Sequence, residues 1–423
     1  MASLYNTLEE KIPVWRDDAR SLLKNNGSSV ISEVTLTQAY GGMRGVKGLV
    51  CDTSSVSPDT GLIIRGKPLS DIIDILPEQV LFLLLADEMP DKDALSDLKS
   101  QLSEHAAVPD YIWTILNSMP EDSHPMAMFN TAILAMEKES VFRKNYDKGL
   151  KKDDFWKPTL EDGLKLIAKL PAIGAGIYRI RFQKGGLIEP DELLDWGANF
   201  AHMLGLNDPD GNLKKLMRLY LMIHCDHEGG NASAFTSLTI GSTLSDLYYA
   251  LSGGLNALAG PLHGLANQEC LKFVLEIRDK FGRAPSRDEL EQLCWDRLRN
   301  GRVIPGYGHA VLRCPDPRFT AFINFGKEHI ENDDVFHIVE TLFDVVPDVL
   351  KKHGKAKNPW PNVDAASGSL LYHYGLTEFS YYTVLFSISR AMGIISQIVI
   401  NRAMGIPIMR PKSITTKWLK DNF

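Results

Sequence analysis

The sequence predicts a mostly α-helical protein of more than one domain, with short β segments confined to its N-terminal part. Beyond Pro68 nearly every window places apolar residues at i, i+3 and i+4, the spacing of one helix face. β-Branched residues beside turn signals cluster only in residues 30–66. A chain of 423 residues also exceeds one small core, so two or three domains are expected.

Taken in order, Leu4 to Asn25 has helical spacing and stops at Gly27. The stretches "VISEVTL" (30–36) and "GLIIRG" (61–66), near a Pro58-Asp59-Thr60-Gly61 turn signal, predict short strands. "PEQVLFLLLADEM", "DALSDLKSQLSEH" and "LEDGLKLIAKL" predict helices, punctuated by Pro and Gly. From Asp226 to Gly264 small residues dominate, which predicts closely packed buried helices or a subunit interface. "YYTVLFSISRAMGIISQIVI" (381–400) is long enough to span a membrane. Arg390 at its centre, with Ser387, Ser389, Ser396 and Gln397 nearby, favours a buried helix of a large soluble protein instead. Gly- and Pro-rich loops within "IPGYGHAVLRCPDPRF" and "NPWPNVDAASG" suit hinge or lid positions. The expected division is a large helical domain at 1–264, a small domain at 265–375 and a return to the large domain at 376–423.

Hydrophobic residues make up 44% and charged residues 23%, an ordinary soluble balance. The net charge of -7, with no basic stripe, argues against nucleic acid and anionic membrane as partners. Five scattered cysteines, never in a C-x-x-C pair, point to a reducing compartment without a disulfide framework or zinc ribbon. "MASLYNTLEEKIPVW" has neither the basic, apolar build of a signal peptide nor the basic character of a transit peptide. A bacterial cytoplasm is the expected location; a processed mitochondrial matrix enzyme is the alternative.

Several side chains could carry chemistry. His263, in "AGPLHGLANQEC", precedes a helical pattern expected to begin at about His263 itself. The positive end of a helix disfavours an imidazolium, so this histidine should stay neutral and donate to an oxygen that gains charge. A packed or capping histidine is the competing reading. His309, in "PGYGHAVLR", follows two glycines that permit close backbone approach, and Arg313 and Arg318 follow it. Arginine forks there suit an anionic substrate; a solvated loop is the alternative. Asp364 follows a proline-stiffened approach and heads a helix, so it is either a rigidly held general base or an N-cap. "HCDHEGG" (224–230) offers metal-ligating residue types, but not at metalloprotease or zinc-ribbon spacing. His227 there reads better as a substrate donor than as a ligand. Arg390, in an apolar helix, needs a partner, either a structural ion pair or a bound carboxylate.

Taken together, "YGGMRG" (40–45), "SHPMAMF" (123–129), "DHEGGNASA" (226–234), "GPLHGLANQE" (260–269), "PGYGHAVLRCPDPRF" (305–319), "PNVDAASG" (361–368) and "RPKS" (410–413) resemble the citrate synthase family, in family order across nearly the whole chain. The pattern is similar to the mitochondrial and related bacterial subgroup. The resemblance implies the citrate synthase fold: a homodimer of mostly α subunits, each with a small helical domain closing over the substrates. It implies condensation of acetyl-CoA with oxaloacetate and water to citrate and CoA, with no metal and no cofactor beyond acetyl-CoA as substrate. It assigns His263, His309 and Asp364 as the catalytic trio, and His227, His309, Arg318 and Arg390 as oxaloacetate contacts. It assigns Arg410 to the partner subunit's site, and Arg313 and Asn362 to the neighbourhood of CoA. One position departs: where many relatives read "SAH", this chain has Ser233, Ala234 and Phe235. That leaves the acyl pocket open between acetyl-CoA and propionyl-CoA, which differ by one methylene worth about 1–3 kcal/mol. The alternatives are therefore a 2-methylcitrate synthase, a non-catalytic structural homologue, and a metal-dependent hydrolase built on residues 224–228.

Overall fold

Helix α1 (Leu4–Asn26) opens the chain of a computed structural model that describes residues 3–308, 311–356 and 358–423. Ser3 caps α1 by accepting the amide of Asn6 at 3.3 Å. Its first half buries Leu4, Leu8 and Ile12, while Leu22 and Leu23 stand in solvent. The strand expected at 30–36 does not form. Residues 28–35 are largely exposed and without secondary structure, and a short helix, α2 (Leu36–Tyr40), starts instead behind a Thr35/Gln38 capping box. β-Branched residues favour a strand only where a pleated neighbour packs against them, and among the described residues no strand pairs with this stretch.

The strands form slightly later. β1 (Ser54–Ser57), β2 (Gly61–Ile64) and β3 (Lys67–Pro68) make one antiparallel sheet in the order β1-β2-β3. The β1–β2 register pairs Ser54 with Ile64 and Ser57 with Gly61, so the 58–60 turn falls where the sequence places it. Beyond the sheet lie α3 (Pro77–Ala86), α4 (Lys92–Glu104), α5 (Asp110–Ser118), α6 (Pro125–Ala135), α7 (Val141–Tyr146), α8 (Trp156–Arg181), α9 (Trp196–Leu204), α10 (Asn212–Ile223), α11 (Ala232–Ser242) and α12 (Leu247–Leu258). Arg65 and Lys11 donate to Leu84 O (2.9 Å) and Ala86 O (2.7 Å), placing cations on the carbonyl end of α3 and tying the sheet and α1 to it.

Next come α13 (Ala266–Phe281), α14 (Arg287–Arg299), α15 (Pro317–His329), α16 (Asp334–His353) and α17 (Asp364–His373). These five pack chiefly on one another. The chain then returns as α18 (Tyr382–Ala403) and ends in α19 (Thr416–Asn422). Helix α18 runs through the centre of the first group, against α3, α6, α8, α10, α11 and α12. It is long and apolar enough to cross a membrane, yet its most apolar window is 94% buried inside the protein, so it serves as the core helix. The small residues at 226–264 do what their size allows: Gly254 of α12 faces Ser233 and Ser237 of α11, where a Cβ would collide. All five cysteines are free.

Candidate active site

The turn between α12 and α13 carries His263. Helix α13 starts only at Ala266, so His263 does not sit on that helix's first turn as expected. The helix end that faces it belongs to α11. Asn231 caps α11 by accepting the amide of Ala234 (3.1 Å), which leaves the amide of Ser233 unused by the helix. That amide donates to His263 Nε2 at 3.3 Å, and Ser233 Oγ lies 3.0 Å from the same nitrogen. A ring nitrogen that accepts an N–H cannot carry a proton. As the acceptor of that amide, Nε2 would leave the hydrogen of a neutral imidazole on Nδ1; Ser233 Oγ gives its own hydrogen to Asn231 Oδ1 at 2.8 Å. Burial, then the nearby Arg390 charge, pushes the His263 pKa down to about 4. Burial and the Arg390 charge, rather than the start of α13, favour the neutral ring.

Asp364 is the first residue of α17, behind Val363 in helical conformation, so it is not the N-cap. Asn362 takes the capping task by accepting the Asp364 amide at 3.0 Å. The Asn362 amide nitrogen donates to Gly306 O at 2.9 Å, and its side chain to Gly308 O at 3.3 Å. Asn362 thus clips the 305–308 loop to the start of α17. Gly306 must be glycine: its φ is +81°, and a Cβ would press on Ala365 and Cys270. Among the described residues no group hydrogen-bonds the Asp364 carboxylate. Its pKa is pushed up to about 6 by burial, with the Arg318 charge opposing and Asp316 adding to the rise. His309 lies outside the described residues.

The two arginines are buried from different directions. Arg318, on the first turn of α15, forms a two-pronged ion pair with the cap residue Asp316, at 3.0 Å from Nε and 2.7 Å from Nη2. The Arg318 charge holds the Asp316 carboxyl below its usual range against burial, and His227 contributes to the same effect. Arg390 is 2% exposed, in the middle of α18. Its Nε donates to His224 O at 3.1 Å, and among the described residues its other nitrogens donate to no protein acceptor. Desolvation pulls its pKa down to about 10, Asp226 being the main charge that resists. His263, Asp364, Arg318, Arg390 and, through Asp316, His227 therefore form one electrostatically coupled cluster.

Two candidates lie apart from it. Arg313 is exposed; its guanidinium donates to Val311 O and Leu312 O, and its amide to Pro58 O at 2.8 Å. Arg410 is exposed on the extended segment after α18. The residues 224–228 do not converge as a ligand set. Asp226 accepts from Thr53, Ser54 and Gln397, Glu228 accepts the Val56 amide at 2.8 Å, and His224 is an aromatic-packed neutral ring with its pKa pushed down to about 3 by burial. Among the described residues no group of three or more His, Cys, Asp or Glu could hold a metal ion. Sequence reading missed Asp316, Ser233 and Asp226. An Asp before Pro317 at a helix start was a legible cap signal for Asp316; the other two have no local signature.

A carboxylate base poised to ionise near pH 6, a neutral imidazole donor and two buried guanidiniums can remove a proton beside a carbonyl, take up the resulting oxyanion and grip a dicarboxylate. The fold and this cluster define an acyl-transferring condensing enzyme. The comparisons with known proteins agree. The family described as citrate synthase, C-terminal domain, matches residues 42–412. The chain is 47% identical to a mitochondrial 2-methylcitrate synthase of Yarrowia lipolytica, over 96% of this chain and 90% of that protein. It is 46% identical to the mitochondrial citrate synthase of Saccharomyces cerevisiae, over 99% of this chain and 89% of that one. The solved citrate synthase of Pyrobaculum aerophilum superposes with a TM-score of 0.80 at 26% identity, covering 89% of this chain and 92% of that one. The chain belongs to the citrate synthase family.

Proposed function

We propose that the protein condenses acetyl-CoA with oxaloacetate and water to give citrate and CoA. The observation that carries this reading is the Ser233 amide on His263 Nε2, because it leaves an Nδ1–H as the outward donor of a neutral ring. Asp364 removes a proton from the acetyl methyl group. His263 donates to the thioester oxygen as negative charge develops there. His309 hydrogen-bonds the ketone of oxaloacetate and protonates it as the carbon–carbon bond forms. Arg318, Arg390 and His227 hold the oxaloacetate carboxylates, with Arg410 reaching the site of a second subunit. Arg313 lies near CoA, and Asn362 acts there by fixing the 305–308 loop. The scheme uses no cofactor and no metal.

The domain division at 264 and 375 belongs to this reading, with the 265–375 unit closing to exclude water until the thioester is hydrolysed. Dimerisation is supported by apolar side chains left open on two neighbouring segments: Val30, Ile31 and Tyr40 on one, Ile408, Ile414 and Trp418 on the other, joined by a Tyr40–Thr416 hydrogen bond of 3.1 Å. The mitochondrial names of the two curated relatives support a matrix location over the bacterial cytoplasm.

The Yarrowia relative favours a second reading within the same chemistry, propionyl-CoA as acyl donor and 2-methylcitrate as product. Thiol release with acetyl-CoA and with propionyl-CoA, each with and without oxaloacetate, tests both. Oxaloacetate-dependent release establishes the condensation, and the ratio of rates chooses the donor. No release from folded protein would return the chain to a structural role. Activity lost to a chelator would favour the hydrolase reading.

A further inference from the structure

Asp226 is fully buried, carries a carboxylate and takes no part in the proposed chemistry. It lies in the turn that supplies two parts of the oxaloacetate site: His227 follows it, and His224 O holds Arg390 Nε. Two stretches distant in sequence converge on its side chain with three donors. Thr53 and Ser54, at the head of β1, donate to Oδ2 at 2.5 and 2.9 Å, and Gln397 of α18 donates to Oδ1 at 2.7 Å. No cation is among these contacts.

The rest of the turn is bound by the same two elements. Ser54 Oγ also accepts the Glu228 amide at 2.8 Å, and Glu228 sits at φ +60°, a left-handed conformation that a non-glycine residue keeps only when it is held. On α18, Arg390, Gly393 and Gln397 lie along one stripe. Gly393 N donates to Cys225 O at 3.1 Å, and a Cβ there would run into Cys225 O and Asp226. The far end of the β1–β2 hairpin meets the other anchor: Pro58 O accepts the Arg313 amide at 2.8 Å, and Gly61 lies against Pro317, which precedes Arg318. One hairpin therefore touches both the Arg390–His227 side and the Arg318 side of the cluster.

We propose that Asp226 is a positioning residue for oxaloacetate, fixing His227 and the carbonyl that orients Arg390 through its three side-chain tethers to β1 and α18. The proposal rests on the citrate synthase reading above. It predicts a signature that charge alone does not give. Deleting a negative charge beside an anion site would by itself tighten oxaloacetate, whereas losing the tethers loosens it.

The test is calorimetric oxaloacetate binding together with steady-state kinetics on Asp226→Ala and Asp226→Asn. Asp226→Ala is expected to weaken oxaloacetate about tenfold in Kd and KM, the scale of losing hydrogen bonds to a charged group. Its kcat and its KM for acetyl-CoA stay within about twofold of wild type under the same argument. Asp226→Asn is expected to restore most of the affinity, because Oδ1 still accepts from Gln397 and the two hydroxyls can accept from Nδ2. If Asp226→Ala does not fold, the Thr53→Val, Ser54→Ala double variant reads the same loss with the carboxylate in place. Variants that melt earlier but bind oxaloacetate as wild type does, or more tightly, would overturn the proposal and leave Asp226 a structural residue. Wild-type protein that does not bind oxaloacetate would bring down the functional reading and the proposal with it.

Discussion

At the residue scale the proposed chemistry depends on two groups whose pKa values burial moves away from those they have in water. Asp364 must be ionised to act as a base, and its pKa is pushed up to about 6. Activity is therefore expected to fall as pH drops through about 6 and to level off above it, in a pH profile of kcat/KM for acetyl-CoA. His263, with its pKa near 4, is already neutral over that range and adds no second limb. The same shifts oppose each other in stability. Asp364 binds its proton more tightly when folded, so it favours the fold below the unfolded value near 4 and loses that contribution as pH rises to 6. His263 and His224 bind theirs less tightly when folded, so they cost stability increasingly as pH falls below their ordinary value of 6.5. Asp364→Asn keeps the shape and removes the base; turnover should vanish while calorimetry still finds oxaloacetate binding. Near-normal turnover would take Asp364 out of its role. The His263 tautomer is open to nitrogen NMR: at neutral pH the Nε2 signal should be that of an unprotonated ring nitrogen. A protonated Nε2 would contradict the Ser233 contact.

At the element scale the difference between what the chain shows in sequence and what it hides is one of contact range. Helices announce themselves by local periodicity: the windows 77–89 and 93–105 contain most of α3 (Pro77–Ala86) and α4 (Lys92–Glu104). Pairing is not local. "VISEVTL" has strand composition but no neighbour, whereas Ser54–Ser57, poorer in strand formers, pairs with β2 and is a strand. The site divides in the same way. His263, Asp364 and Arg390 stood out because each breaks its local pattern; Asp226 and Ser233 did not, because their importance lies in partners more than 25 residues away. Gly393 illustrates the hidden kind. Within an apolar helix it reads as a weak point, yet it lets α18 reach the 224–228 turn. Gly393→Ala should cost about 1–3 kcal/mol, the scale of an overpacked contact, despite alanine's better helix propensity. Denaturant melts measure it; a stabilised variant would mean that α18 and the turn are not in close contact.

At the scale of the whole molecule the question is whether one subunit holds a complete site. Arg410 is exposed, on a segment that follows α18 and carries other uncovered apolar side chains, Ile408 and Ile414. If it serves the neighbouring subunit, damage to it and damage to Asp364 fall on different sites. Mixing Arg410→Gln protein with Asp364→Asn protein then gives a distinctive result. In a mixed dimer, the site built on the Arg410→Gln subunit keeps its own Asp364 and receives an intact Arg410 from its partner. The other site lacks both. Random exchange makes half the dimers mixed, each with one working site of two, so about a quarter of wild-type activity should appear from two nearly inactive parents. If Arg410 served its own subunit, the two defects would occupy separate sites of the mixed dimer. No intact site would form, and mixing would leave the activity at the average of the parents. Different affinity tags on the two parents, used in succession, isolate the mixed dimers and separate a failure to exchange subunits from a failure to complement, so the activity of those dimers decides where Arg410 acts.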